Sequence, residues 1–465
     1  MKFIGRAEEM FYLKEAVGLS KNKLFTVAIT GLRRVGKTRL ILELLSKDDL
    51  YFFVNKDKER TSLLQEYVDI LKTRKILTEF ETLNDWESFF KLLFGRFKGT
   101  IAFDEFQNFT AVDESVYGIL QKYIDINENK RGLFIIFSGS TVGLMKKLFS
   151  DSRQPLYGRL KRKMPLKPLV FRDVLKICNA LGMQNIEDAV SYYAIFGGFP
   201  KYYVTIEDEN LGGAGFEKTI DRLFFAENAI LEDEASQILS LEFGKRSGLY
   251  YDILAAIASG NTKTGEIASL LKKKETALTR QINELTNRFE LISLEKPVTG
   301  GKGVFVISHP LLNFWFGFFY KNLSSYKRRE SWLTDKIKGS INSYIGHRFE
   351  YVCREFLGHK HEFDKIGRWW GGAYRNEKGE RKTAEIDIVL IKEKTKEILF
   401  AECKWEAKAD ARKILNSLRE KAKLVDWHRG KRMERYAIFA KSFKEKINEK
   451  DLSLFDLKDI ESGSK

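Results

Sequence analysis

The sequence predicts an α/β chain whose first third is a parallel sheet with helices on both faces. Three observations carry this. Short β-branched runs alternate with amphipathic stretches over the first 170 residues or so. A glycine-rich loop stands between one such run and the helix that follows it. The composition, 43% hydrophobic and 31% charged with only 6 prolines in 465 residues, suits packed domains; it excludes a disordered chain, a collagen-like repeat and a disulfide mini-domain. At roughly 100 to 200 residues per domain, the length suggests about three.

The predicted strands of the core, residues 1–170, are Leu24–Ile29, Leu50–Val54, Thr100–Phe103 and Leu133–Phe137. Residues 171–248 turn helical, with an acidic second part (Glu207, Asp208, Glu209, Glu232, Asp233, Glu234) and no clear strand. In residues 249–325 three helices are expected, Tyr250–Ala258, Lys263–Leu271 and Glu275–Arg288, then a two-stranded wing around Thr299–Gly303. That is the layout of a winged helix-turn-helix, whose last helix would turn Lys274, Thr276, Thr279 and Arg280 toward a DNA major groove. The same layout also serves as an internal lid, and the pattern does not choose between them. Residues 330–465 read as a helix around Ile341–Leu357, then strands and basic helices, with Glu461–Lys465 as a disordered tail.

Gly31-Leu32-Arg33-Arg34-Val35-Gly36-Lys37-Thr38 fits G-x-x-x-x-G-K-[ST] and joins a predicted strand to a helix that opens at Arg39. In such a loop the backbone N–H groups wrap phosphates, and the helix N-terminus adds its dipole. Gly31, Arg33, Arg34, Val35, Gly36 and Arg39 are therefore candidate contacts to ATP. Lys37 would reach the β- and γ-phosphates, and Thr38 would ligate Mg²⁺. The strand Thr100–Phe103 delivers Asp104 and Glu105, the first to hold the metal through water and the second to polarise an attacking water. Ser138 or Ser140, after the next strand, would read the γ-phosphate. Arg159 is a candidate arginine finger, a role that acting in trans would tie to a homo-oligomer; a solvated arginine in a basic stretch is the alternative.

Phe3-Ile4-Gly5-Arg6-Ala7-Glu8-Glu9, Asp104-Glu105-Phe106-Gln107, Pro155-Leu156-Tyr157-Gly158-Arg159 and Phe196-Gly197-Gly198-Phe199-Pro200 together resemble the archaeal-type ATPase family, in the AAA+/STAND-like branch of P-loop NTPases. The resemblance covers roughly the first 320 residues. It implies that Arg6 lies in the segment lining the adenine site, that residues 171–248 form a helical lid, and that Pro200 helps pack that lid on the nucleotide.

In the C-terminal part, Asp387 is followed by Glu402-Cys403-Lys404 on a second predicted strand. Strand alternation puts Glu402 and Lys404 on one face, with Cys403 and Trp405 on the packed side. Two carboxylates can hold a divalent metal, and a nearby lysine can orient water; an ordinary charged hairpin gives the same pattern. The segment resembles the PD-(D/E)XK nuclease-like domain, matching at Glu350, the Gly367–Trp370 turn, Asp387, Glu402 and Lys404, with Ile386 where the family usually has Pro. The resemblance implies an α/β restriction-endonuclease-like fold, Mg²⁺ or Mn²⁺ held by Glu350, Asp387 and Glu402, and a catalytic Lys404.

Net charge is +16, from 80 Lys and Arg against 64 Asp and Glu, which favours a polyanionic partner, DNA before membrane. A Lys/Glu-rich thermophile surface is the other explanation. Three scattered cysteines and no secretory leader point to a reduced cytoplasm. The longest apolar run, Leu311 to Tyr320, is too short for the roughly 20 residues of a membrane span. The five histidines lack ligand spacing. Two functions follow: an ATPase coupled to DNA binding or metal-dependent cleavage, or a nucleotide-controlled switch whose C-terminal domain binds without cutting.

Overall fold

The computed structural model describes residues 2–183, 185–243, 248–375 and 381–463. These gather into two compact units. The first holds residues 1–169 with the short segments 199–201 and 283–290; the second holds the remainder.

In the first unit, β1 (Phe25–Thr30) runs into the glycine-rich loop and α1 (Lys37–Leu44). Then come β2 (Leu50–Phe53), α2 (Arg60–Thr73), β3 (Gly99–Asp104), β4 (Leu133–Gly139), α3 (Val142–Ser150) and β5 (Arg162–Pro165). All neighbours pair in parallel, in the order β2-β3-β4-β1-β5. Strands β1, β3 and β4 are buried along nearly their whole length. That explains why they read as continuous apolar runs rather than alternating ones. One face is sealed by aromatic rings: Phe52 stacks on Phe103, Phe103 on Phe137, and Tyr67 and Trp86 close over them.

Parallel sheets bind ligands beyond the carboxyl ends of their strands. Here that edge carries Thr30 and Asp104 at the ends of β1 and β3, separated by β4. β5 is fastened to the same edge by the Leu166 N–H donating to Thr30 at 2.6 Å.

In the second unit, residues 171–198 and 202–243 are helical, with no strand among the described residues. Further on, the Gly248–Ala258 and Thr264–Leu270 helices lead to α4 (Glu275–Asn283); its last residue and the π-helical turn that continues it, Glu284–Arg288, belong to the first unit. The antiparallel pair β6 (Ile292–Glu295) and β7 (Val304–Ile307) comes next. The expected helix around Ile341–Leu357 is longer than the sequence suggested: α5 spans Ser331–Lys360. Its apolar positions at Leu333, Ile337, Ile345, Phe349, Val352 and Leu357 are buried, and these steps of three to five residues, with one gap of eight, carry one buried side of the helix beyond the recognisable pattern.

A five-stranded mixed sheet follows, in the order β12-β11-β10-β9-β8. β8 (Lys365–Arg375), β9 (Arg381–Lys392) and β10 (Glu397–Lys404) form an antiparallel meander. The crossover helix α6 (Ala411–Ala422) returns the chain to β11 (Met433–Ala440), parallel to β10, and β12 (Leu452–Phe455) pairs parallel outside it. The tail expected to be disordered is helical from Leu457 to Gly463, with Ile460 buried; its last two residues lie outside the described ones. No described helix is long and apolar enough to cross a membrane.

Gly31 has no room for a side chain, because a Cβ there would lie 2.4 Å from the Leu166 carbonyl oxygen. Backbone cannot yield as a flexible side chain does, so Gly31→Ala is expected to cost about 1–3 kcal/mol through overpacking. A drop in the urea midpoint of the first unit, together with weaker nucleotide binding, checks this.

Candidate functional site

The glycine-rich loop turns through two left-handed residues, Arg34 at φ 67° and Gly36 at φ 97°. Glycine takes that conformation without strain, and two such residues so close together bend the chain around a concavity lined by backbone N–H groups. Lys37 is buried, and its ammonium donates to the Gly31 carbonyl at 2.8 Å and the Leu32 carbonyl at 3.1 Å. It lies inside the loop that it would serve. Arg6 donates to the Val35 carbonyl at 3.1 Å and pairs with Glu9 at 2.7 Å, which fixes the N-terminal segment against the loop. Pro200 stands over Gly36, its Cγ 3.6 Å from where a Cβ would be. Arg39 is exposed and pairs with Glu43, so its side chain faces away from the loop.

The Thr38 hydroxyl donates to Asp104 Oδ2 at 2.6 Å, and the Tyr51 hydroxyl donates to the same oxygen at 2.9 Å. Asp104 is 1% exposed. Burial first, and then the charge of Asp104, raise the Tyr51 pKa, so the phenol keeps the proton it donates. Tyr51 was not recognisable from the sequence, since β2 carries no motif. Glu105 takes a left-handed backbone, φ 55°, and its Oε2 accepts from Gln107 and from Ser140, each at 2.6 Å. Ser140 is thus the serine that joins the cluster; Ser138 is buried without a hydrogen-bond partner. A hydroxyl and a carboxylate oxygen meeting at this edge are the hard ligands that Mg²⁺ accepts while keeping most of its waters. The residues present fit that ion and a phosphate chain.

Arg159 lies elsewhere. Its guanidinium pairs with both oxygens of Asp125 at 3.1 and 3.2 Å, and its carbonyl accepts from Thr26 at the opening end of β1. That is the sheet edge opposite the glycine-rich loop, so Arg159 does not reach this chain's own loop.

In the second unit, the hairpin register that pairs Ala401 with Ile388 sets Asp387 beside Glu402. Asp387 Oδ2 accepts the Cys403 N–H at 2.8 Å. Burial, and then Glu402, push Asp387 up to about 6. Burial, and then Asp387, push Glu350 up to about 8, despite Arg368 at 3.5 Å. The sequence expected Glu350, Asp387 and Glu402 to share a cation. Among the described residues, however, no group of three His, Cys, Asp or Glu side chains gathers to hold one.

Strand alternation gives the reason. Ile398, Phe400, Glu402 and Lys404 turn to one face, where Ile398 and Phe400 pack with Leu415 and Leu418 of α6. Cys403 turns to the other, where its thiol meets that of Cys353, three residues beyond Glu350 on α5. Glu402 is then taken by lysines: Lys404 at 2.8 Å, and Lys421 of α6 at 2.9 and 3.1 Å, one contact to each oxygen. Lys421 was missed because it lies on a helix outside the strand pattern. In this arrangement the residues do not fit a metal.

Residues 24–175 match the family model described as an AAA domain. Together with the strand order and the loop, this makes them an AAA-type P-loop ATPase domain. Residues 315–414 match a family of archaeal and bacterial proteins of unknown function. An uncharacterized protein of Methanocaldococcus jannaschii is 29% identical over 472 residues, spanning 98% of this chain and all of that one. A Walker-type ATPase of Pyrococcus abyssi shares the fold with a TM-score of 0.55 and 21% identity, over 68% of this chain and 96% of that chain.

A carboxyl group whose pKa is raised on folding keeps a proton that the unfolded chain has released, so stability falls as pH rises between the two values. For Glu350 that window runs from its ordinary value near 4.5 to about 8. Amide-exchange protection of β9 and β10 should therefore decline between about pH 5 and about pH 8. Glu350→Gln should flatten the decline; an equal slope in the variant would refute the assignment.

Proposed function

We propose that this chain binds and hydrolyses ATP at the loop–β3 edge and couples the nucleotide state to a nucleic-acid-directed C-terminal half. The observation that carries the reading is the convergence of Thr38 and Asp104 at 2.6 Å beside Glu105, with Lys37 folded into the loop. Lys37 and the loop N–H groups would hold the phosphates, and Arg6 and Pro200 would border the nucleotide. Mg²⁺, when bound, would neutralise charge between the β- and γ-phosphates. Glu105, held by Ser140 and Gln107, would accept the proton of the attacking water.

The three helices and hairpin of residues 248–307 read as a winged helix. Lys272, Lys273, Lys274, Thr276 and Thr279 are exposed along the turn and the start of α4, a basic face suited to DNA phosphates. The wing itself is engaged within its own unit, with the Val298 N–H donating to the Arg368 carbonyl at 2.9 Å. This leaves the helix rather than the wing as the contact surface. The helix–meander–helix–strand order of residues 331–440 supports a PD-(D/E)XK-like domain with Asp387, Glu402 and Lys404 at its centre.

A second reading, a nucleotide-controlled switch that binds without cutting, is favoured by one observation: Lys421 and Lys404 both engage Glu402. Steady-state hydrolysis tests the first half of the proposal. Asp104→Ala and Glu105→Gln are each expected to lower kcat by about 10²-fold or more, and wild-type rates in both would remove the site. Plasmid nicking with Mg²⁺ or Mn²⁺, comparing wild type with Asp387→Ala and Lys404→Ala, separates the readings. Metal-dependent nicking lost in both variants supports the nuclease, and no nicking by wild type supports the switch.

A further inference from the structure

The C-terminal cluster contains a charge that the strand pattern does not. Lys421 is 9% exposed, and its ammonium spans both oxygens of Glu402. Its helix has little freedom to carry it away. Leu415, Leu418 and Ala422 are buried in the sheet core, and Asp410 caps the first turn by accepting the Lys413 N–H at 3.0 Å. At the other end, Arg432 ties off the carbonyls of Ala422, Val425 and Trp427. A buried ammonium that gives up the carboxylate it is hydrogen-bonded to bears a desolvation cost that this pairing had offset. With Lys404 also 2.8 Å from Glu402, a divalent ion placed there would face two ammonium groups at short range.

We propose that Lys421 competes with divalent cations for Glu402, so that the C-terminal cluster takes Mn²⁺ or Mg²⁺ only as Lys421 releases it. This rests on the reading of the cluster as a nuclease-like site, and it turns that site from a standing metal centre into one that a lysine holds closed.

The test is Mn²⁺ titration of the nucleotide-free full chain, with free ion read by electron paramagnetic resonance, in an Asp104→Ala background that silences the ATPase ion site. Lys421→Met keeps the stem and removes the charge; Lys421→Gln keeps a polar end. Either substitution should tighten one Mn²⁺ site by tenfold or more, and adding Asp387→Ala should abolish the gain. Tightening of less than tenfold in both, or a gain that survives Asp387→Ala, overturns the proposal. A measurement on the unsubstituted lysine guards against variants that fail to fold: Mn²⁺ should raise labelling of Lys421 by an amine-reactive reagent at least threefold, and unchanged labelling counts against the competition. Absence of DNA cleavage by both wild type and Lys421→Met would remove the nuclease reading, whereas the ion titration decides the competition independently.

Discussion

A carboxylate delivered to the end of a buried strand must find donors, because its charge is costly to hold away from water without them. Both candidate centres obey this constraint and solve it differently. At the end of β3, Asp104 is satisfied by neutral hydroxyls from Thr38 and Tyr51 and by the Glu105 N–H. Neutral donors bring no positive charge of their own to the carboxylate. At the end of β10, Glu402 is satisfied by two ammonium groups, which more than offset its charge. Choice of donor, more than choice of acid, separates a centre prepared for a cation from one already compensated.

The sheet was legible because its strands are buried on both faces and because a loop motif sits in a strand–helix setting that few other folds supply. Strands β1 to β4 lie within a residue or two of their predicted places, and Thr38 with Asp104 could be paired in advance from chemistry alone. What escaped was contributed by elements without a signature. Tyr51 comes from an edge strand of four residues, and Lys421 from an amphipathic helix whose lysines all look like solvated surface until the helix is packed. Side-chain direction was the harder quantity. The pattern D…ExK gives residue types, whereas whether three carboxylates converge depends on which face of the sheet each strand position meets and on what the covering helices bring to it.

Arg159 illustrates the same point from the opposite side. Its placement before β5 is readable, but β5 begins at the far edge of the sheet, so the Arg159 guanidinium finds Asp125 and not this chain's phosphate loop. A residue can be correctly placed in the chain and still belong to a different surface from the motif it accompanies.

Tyr51 reaches Asp104 from the strand at the margin of the sheet, and its ring also lines an open cleft of about 1030 Å³ shared with Lys58, Glu66 and Arg74. Marginal strands have one unpaired edge and are where a sheet most readily breathes or gains a partner. The hydroxyl therefore joins two places that the chain keeps far apart in sequence: one residue borders the cleft and also touches the carboxylate oxygen that Thr38 shares.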